Sequence, residues 1–240
     1  MNYKSLCEFD GRGFNGWQSQ PEENTIQDNI ESSMKKILSK TIRINGVGRT
    51  DSNVSAENYV FNFRSQSITD IKQFRNSLNA VTDRRIHIKS IEETDPGFDA
   101  RRMCVCKSYR YQILNTISPL RRHFHWEIER PVDFEKFCSE LSVLEGTHDF
   151  TSFCRRKSLK ESNTVNLSEI TINRIEDEII VRFTGDRFLH NMIRFIIGTA
   201  VDISLGAVTA GMKDILESRN VENAGRKAPG NGLILEYANY

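Results

Sequence analysis

The chain has 240 residues, which is enough for one large domain or two small ones with a buried core. Its 33 basic and 32 acidic residues leave a formal net charge of +1, and 38% of the residues are hydrophobic. This balance excludes a histone-like basic tail protein and an acidic disordered activator. Binding to a nucleic acid would therefore have to come from local basic patches.

The chain shows no targeting, membrane or metal signal. Its N-terminus lacks the apolar core of a signal peptide, and polar or charged side chains interrupt the most apolar stretch, residues 188–208. The five cysteines form no C-x-x-C pair, and the five histidines are scattered. We therefore predict a soluble cytoplasmic protein with no membrane span, disulfide framework, metal or cofactor. Cys104 and Cys106 are interpreted as small apolar fillers on one face of a strand.

The first hundred residues alternate between strand-like and helix-like patterns. Ile26, Ile30 and Met34 form a helical apolar stripe, with Asn24 or Thr25 as a candidate N-cap. The order β-α-β-β-α-β is that of a ferredoxin-like unit. In chain order, the predicted elements are a strand at Asn2–Phe9, a helix at Thr25–Leu38, strands at Thr41–Val47 and Asn58–Arg64, a helix after Thr69-Asp70, and a strand at Arg85–Ile91.

The rest of the chain approximately repeats this order. We predict an α+β fold of two similar ferredoxin-like halves, residues 1–99 and 100–240, with mostly antiparallel sheets meeting at a central cleft. The predicted elements are strands at Met103–Ile113, Leu167–Ile175, Glu178–Thr184 and Leu233–Tyr237, and helices at Asp133–Leu144, Phe188–Ile203 and Met212–Ser218.

Two basic clusters stand out against the balanced composition. Residues 101–130 hold seven basic side chains against two acidic ones, and Arg121 and Arg122 are adjacent there. A second cluster joins Arg155, Arg156 and Lys157. With aromatic residues nearby, such clusters suit a polyanion whose bases can stack. A solvated surface with no binding role is the alternative.

The segment from Gly46 to Val54 is the sharpest local feature. It joins two predicted strands and places Arg49 and Asp51 close together after two glycines. Such a turn can present a carboxylate at a strand end. Alternatively, Asp51 only hydrogen-bonds its own backbone in a tight turn. The glycine spacing does not match a phosphate-binding loop.

Several motifs in order resemble those of the TruA-type tRNA pseudouridine synthase family. Gly48-Arg-Thr-Asp51, followed by Val54 and Ala56, is similar to that family's catalytic signature. The other matching segments are Phe9-Asp-Gly11 with Gly16-Trp-Gln18, Phe98-Asp-Ala-Arg101 with Tyr109-Arg-Tyr111, Phe150-Thr-Ser-Phe153, Phe188 to Arg194, and Gly232-Leu233 with Leu235.

The resemblance implies an enzyme that isomerises uridine to pseudouridine in tRNA, in the anticodon arm, with no cofactor. It implies Asp51 as the nucleophile, Arg49 and Arg194 as residues that hold the site together, Tyr109 against the target base and Leu233 as a wall of the uracil pocket. It also implies a homodimer and an active cleft between the two halves. Arg121, Arg122, Arg155, Arg156 and Lys157 would then contact the RNA backbone.

This chain departs from the family pattern just after the nucleophile. Asn53 and Ser55 stand where the family usually has glycine and histidine. Because asparagine tolerates left-handed backbone, we expect Asn53 to preserve the turn. The replacement of histidine puts the RNA site preference in question more than the chemistry. Two alternatives stay open: an RNA-binding or chaperone protein with weak or no turnover, and a pseudouridine synthase that acts on a different RNA.

Overall fold

The computed structural model describes residues 1–21 and 24–240, which divide into two compact units. The first unit comprises Met1–Val105 together with Ile234–Tyr240, and the second comprises Cys106–Leu233. This division differs from the predicted halves, 1–99 and 100–240, in that the boundary falls later and the C-terminal strand lies with the first unit.

The first unit is a sheet with two helices. Strands β1, β3 and β4 lie in the order β4-β1-β3, and β2 also pairs with β3; all of these pairs are antiparallel. The side chains of Thr25 and Asp70 accept the backbone N–H groups that begin the two helices. The elements are β1 (Asn2–Phe9), α1 (Ile26–Leu38), β2 (Ile44–Gly46), β3 (Ser55–Arg64), α2 (Ile71–Val81) and β4 (Ile86–Thr94).

In the second unit, the strands follow the order β5-β9-β8-β7. Its neighbouring strands are antiparallel, and the short β6 runs parallel to β5. The α+β class and the largely antiparallel pairing are thus as predicted. The elements are β5 (Cys106–Leu114), β6 (Trp126–Glu127), α3 (Phe134–Ser142), β7 (Gly146–Asp149), β8 (Thr164–Ile175), β9 (Glu178–Gly185), α4 (Met192–Ser204) and α5 (Met212–Ser218).

The last strand, β10 (Leu233–Asn239), pairs with the start of β3. Ile234 lies opposite Ser55 and Leu235 opposite Ala56, in parallel. This pairing joins residues almost 180 positions apart in the chain, as the hydrogen bond from the Asn58 side chain to the Glu236 carbonyl also does (2.8 Å). It explains why the C-terminal residues lie with the first unit.

Several predicted boundaries need correction. The strand predicted from Met103 begins at Cys106. Met103 and Val105 are exposed and precede the strand, so the alternating pattern of side chains extended beyond the strand itself. The helix predicted from Phe188 begins at Met192, because Asn191 adopts a left-handed conformation with φ 64°. The short strands β6 and β7 were not predicted, since two to four residues carry too little periodicity.

The cysteines are all free thiols. Cys7 and Cys154 are buried, and burial raises the pKa of both. Cys104 and Cys106 are only half-buried, and Cys104 lies before the strand, so the filler prediction fits these two incompletely. In residues 1–21 and 24–240, no helix has both the length and the apolar character that a membrane crossing requires.

Candidate active site

Asp51 lies in the loop of residues 47–54 that joins β2 to β3 in the first unit. The loop closes on itself through a hydrogen bond from the Val54 N–H to the Asp51 carbonyl, at 3.2 Å. Asp51 is half-buried and Arg49 is exposed. The structure therefore has a turn between these two strands, as the sequence predicted.

The segment of residues 11–17 packs directly against this loop. The Trp17 N–H donates to the Thr50 carbonyl, and the Asn53 N–H donates to the Phe14 carbonyl, each at 3.3 Å. Gly16 has φ 84°, and a Cβ there would lie 2.3 Å from the Thr50 oxygen. Only glycine fits this contact, because both the backbone conformation and the space exclude a side chain.

Two buried aromatic rings support the loop from below. Trp17 and Tyr59 are stacked, with ring centroids 3.9 Å apart and an angle of 26° between the rings. The Tyr59 hydroxyl donates a hydrogen bond to the Gly48 carbonyl. A Cβ on Gly46 would lie 2.2 Å from the Tyr59 hydroxyl oxygen, so this glycine lets the chain pass over the rings. Trp17 belongs to one of the matching motifs, but no role was predicted from the sequence for it or for Tyr59.

The two departures from the family pattern both have structural roles. Asn53 adopts φ 64°, which confirms the expected left-handed turn, and its side-chain oxygen accepts the Gly13 N–H at 3.0 Å. Ser55 is buried, and its hydroxyl accepts the Gly11 N–H at 3.0 Å. Both residues therefore accept hydrogen bonds from the 11–17 segment.

In the second unit, Tyr109 lies on β5 opposite Phe183 of β9. Its side chain is 7% exposed and meets the Phe188 ring edge-on, with the centroids 5.0 Å apart and the rings at 76°. Phe188 belongs to the motif that leads into α4, but no role was predicted for it from the sequence. The contact limits how far the tyrosine ring can turn.

Arg194 lies in the first turn of α4 and is half-buried. Its Nε donates to the Ala228 carbonyl at 2.8 Å, and its Nη1 donates to the Asn191 side-chain oxygen at 3.1 Å. The Ala228 N–H in turn donates to the Arg194 carbonyl at 3.0 Å. These bonds fix the direction of the guanidinium group.

Leu233 is buried at the start of β10, directly after a closely packed turn. The Tyr111 hydroxyl donates to the Pro229 carbonyl at 2.8 Å, and the Gln112 N–H donates to the Gly232 carbonyl at 2.9 Å. Burial raises the pKa of Tyr111, so its hydroxyl remains a neutral donor. From the sequence, Tyr111 was predicted only as a strand residue on the same face as Tyr109.

The predicted RNA-contacting cations differ in how they are already paired. Arg121 forms two hydrogen bonds with Asp177, and Arg122 donates to Glu127 at 2.8 Å. The hydrogen bond from Arg121 lowers the pKa of Asp177, so this carboxylate stays ionised. Arg156 pairs with Glu222 at 3.2 Å, both groups being exposed. The side chains of Arg155 and Lys157 make no hydrogen bond or ion pair with any residue of 1–21 or 24–240.

No metal site is present in the described part of the chain, where no three histidine, cysteine or acidic side chains are grouped to hold an ion.

Comparison with known proteins shows which class of enzyme this chain resembles. A family model described as "tRNA pseudouridine synthase" matches residues 141–240. The tRNA pseudouridine synthase A 1 of Bacillus cereus is 35% identical over 241 residues, which covers 99% of this chain and 98% of that protein. The tRNA pseudouridine synthase A proteins of Acetivibrio thermocellus and Bacillus subtilis are 36% and 35% identical, and each alignment covers 98% of this chain and 97% of that protein. The chain therefore belongs to the tRNA pseudouridine synthase A family.

Proposed function

We propose that this protein converts uridines of tRNA to pseudouridine, in the anticodon arm. The observation that carries the proposal is the similarity to tRNA pseudouridine synthases A over almost the whole length of both chains. The Asp51 loop supports it, because glycines, aromatic packing and hydrogen bonds hold its backbone in one conformation. A chain that only bound RNA would not need a carboxylate held in this way.

Asp51 is the proposed nucleophile. The isomerisation breaks the bond between ribose and uracil nitrogen, turns the ring and joins it to ribose through carbon 5. An ionised carboxylate can attack the nucleoside covalently, or it can remove a proton from the sugar. Both routes require a fixed position relative to the reacting atoms, since misplacement by about 1 Å can reduce the rate about 100-fold.

The second unit is proposed to supply the uracil-binding residues. Tyr109 would lie against the target base, Leu233 would line the uracil pocket, and Arg194, with Arg49 from the first unit, would hold the site together. The rigid surroundings of Tyr109 and Arg194 support these roles. In this proposal the two units are related halves that act on the same uridine, as the resemblance to the family implies.

The target base must leave its stack before it can react, at a cost of a few kcal/mol. Stacking on Tyr109 would return about 1–3 kcal/mol, and contacts with phosphates would supply the rest. Arg155 and Lys157 are the best placed of the predicted contacts, because they have no partner among the described residues. Arg121 and Arg122 would first have to exchange their carboxylate partners for phosphate.

The direct test is pseudouridine mapping of bulk tRNA incubated with the protein. The parent should form pseudouridine in the anticodon arm. Asp51→Asn should form none, with tRNA affinity within about tenfold of the parent, or about 1.4 kcal/mol. Asp214→Asn, which changes an exposed carboxylate on α5, is the matched control and should retain the parent rate.

Three outcomes would contradict this proposal. Pseudouridine formation by Asp51→Asn near the parent rate would show that the nucleophile is misplaced. Tight tRNA binding by the parent with no pseudouridine formed would favour the RNA-binding or chaperone alternative. Modification of another RNA in preference to tRNA would favour the alternative of a pseudouridine synthase that acts on a different RNA.

We further propose a cytoplasmic homodimer, as the resemblance to the family implies. The observation that supports a dimer is the small net charge of each basic cluster in one chain, against the many phosphates of a tRNA. Two subunits could bind different parts of one RNA. Sedimentation should show a dimer at micromolar concentration, and a fully active monomer would exclude it.

A further inference from the structure

A cavity of about 650 Å³ opens on the first unit, away from the Asp51 loop. It lies where β2 begins, where β3 ends, and beside residues 97–103. Ser55 and Asn62 are seven residues apart on β3, which at about 3.3 Å per residue is about 23 Å. Because Ser55 directly follows the Asp51 loop, the cavity is well separated from the proposed nucleophile.

The cavity wall carries an excess of positive charge. Arg43, Arg64 and Arg102 line it, and Asp99 is the only acidic residue among the lining residues that the structure describes. Burial alone would raise the pKa of Asp99, but N–H groups of Arg102 and Arg101 and the side chain of Asn45 donate to it and lower that pKa. Asp99 is thus an ionised carboxylate already engaged by the loop's own backbone.

The three arginines retain donors for a ligand. Arg102 is exposed, and its guanidinium makes no hydrogen bond with any residue of the described chain. Arg64 uses Nη2 on the Pro96 carbonyl at 3.0 Å, and Arg43 uses Nη1 on Glu31 at 2.7 Å. A guanidinium has five N–H donors in a planar fork suited to phosphate, so most of these donors remain available.

The floor of the cavity is preformed. The Asn62 side chain accepts the Ala100 N–H at 3.0 Å and the Asn45 amide at 3.2 Å, and donates to the Phe98 carbonyl at 3.3 Å. This links β2, β3 and the 97–103 segment into one rigid base. The floor amides are therefore occupied in holding the shape, and recognition falls to the arginines and to Phe98.

An apolar side accompanies the charge. Phe98 lines the cavity, and its ring is held by Tyr240, with centroids 5.2 Å apart. Met103 is 51% exposed at the rim. The volume exceeds what a single phosphate needs and lies in the range of sites for nucleotide-sized ligands. A nucleotide, which joins a phosphate to a flat base, fits both the charged part and the apolar part of the cavity wall.

We propose that this cavity binds one nucleotide of the tRNA other than the reacting uridine, with its phosphate on Arg64 and Arg102 and its base against Phe98. The inference rests on the proposed function in taking tRNA as the RNA. The site would fix the position of the RNA on the first unit while the target uridine reacts at Asp51.

The test is tRNA binding measured across a range of salt concentrations. Arg102→Ala should weaken binding about three- to tenfold and make the slope of log affinity against log salt shallower by about 0.7–0.9, the loss of one phosphate contact. The rate at saturating tRNA should stay at the parent value. Arg84→Ala, an exposed arginine of the same unit that does not line the cavity, is the control and should keep the parent slope.

A second variant tests the base contact. Phe98→Leu keeps an apolar side chain and removes the aromatic face, so it should weaken tRNA binding about fivefold or more with an unchanged salt slope. Thermal unfolding of each variant checks that the fold is intact. Parent affinity in Phe98→Leu would overturn the nucleotide assignment.

Other results would also overturn the inference. Equal salt slopes for Arg102→Ala, Arg84→Ala and the parent would exclude the phosphate contact, even in an enzyme that forms pseudouridine normally. A change in sedimentation for Arg102→Ala without a change in slope would assign the cavity to a second copy of the chain. The salt slope measures binding, so it tests the cavity even if the parent binds tRNA without forming pseudouridine. That result would refute the proposed function and leave the test of the cavity valid.

Discussion

The loop that carries Asp51 and the helical turn that carries Arg194 are held in different ways. Backbone contacts fix the loop: its carbonyls accept hydrogen bonds from Trp17 and Tyr59, and Gly16 lies against it without a side chain. Arg194 is fixed through its own guanidinium, which donates to the Ala228 carbonyl and to Asn191. Neighbouring residues thus hold the backbone of the Asp51 loop, whereas hydrogen bonds of its own guanidinium hold the Arg194 side chain.

The largest effect should come from adding a methyl group behind the loop. Gly16→Ala introduces a residue with positive φ, which costs about 1–2 kcal/mol, and forces its Cβ against the Thr50 carbonyl, which costs about 1–3 kcal/mol more. We expect a loss of about 2–5 kcal/mol in the free energy of unfolding, measured by denaturant titration. Gly206→Ala has a similar φ of 73° with no neighbour within 4 Å, and should cost only the first of these amounts. Equal losses in the two variants would show that the contact does not constrain the loop.

The next effect tests the guanidinium on α4. Arg194→Lys keeps the positive charge but cannot direct two N–H groups at Ala228 and Asn191 from one planar group. We expect the rate at saturating tRNA to fall about tenfold or more, with a loss of stability of about 1–3 kcal/mol. Arg130→Lys, at an exposed position, should change neither quantity. Full activity in Arg194→Lys would show that charge alone is sufficient there.

A smaller effect tests the Tyr59 hydroxyl below the loop. Tyr59→Phe keeps the stacking on Trp17 and removes the hydroxyl that donates to the Gly48 carbonyl. We expect a loss of about 0.5–1.5 kcal/mol in unfolding free energy, together with a measurable decrease in the rate at saturating tRNA. Tyr237→Phe on the exposed part of β10 is the control. A stability loss with no change in rate would mean that the hydroxyl supports the fold without positioning Asp51.

The smallest effect concerns acid stability beside the loop. Burial alone would raise the pKa of Asp10, but hydrogen bonds from Arg12 lower that pKa overall. Hydrogen bonds from Arg85 likewise lower the pKa of Asp83. A carboxyl whose folded pKa is depressed stabilises the protein above its unfolded pKa, about 4, and loses that contribution as the pH falls through the folded value. Urea titrations between pH 5 and pH 2 should show a shallower loss of stability in Asp10→Asn than in the parent. Identical pH dependence would exclude a contribution from Asp10.

The local elements of the fold could be predicted from the sequence because they depend on short periodicities. The stripe of Ile26, Ile30 and Met34 predicted α1, and the structure buries all three residues. Asp70 and Asp133 begin α2 and α3 as N-caps, in agreement with the starts predicted there. Likewise, the glycines and Asp51 predicted a tight turn at a strand end. Strand and helix periodicities act over a few residues, so a single segment contains the whole signal.

Only the tertiary structure decided which distant segments meet. The pairing of β10 with β3, the packing of residues 11–17 on the Asp51 loop and the stacking of Trp17 on Tyr59 all join parts of the chain with no shared local pattern. The same holds for charge, since the sequence does not distinguish Arg121 from Arg102. In the structure, Arg121 is paired with Asp177. Arg102 lines an open cavity, and its guanidinium has no hydrogen bond with the described residues. Composition counts charges, but their availability to a ligand depends on which partners folding brings within hydrogen-bond distance.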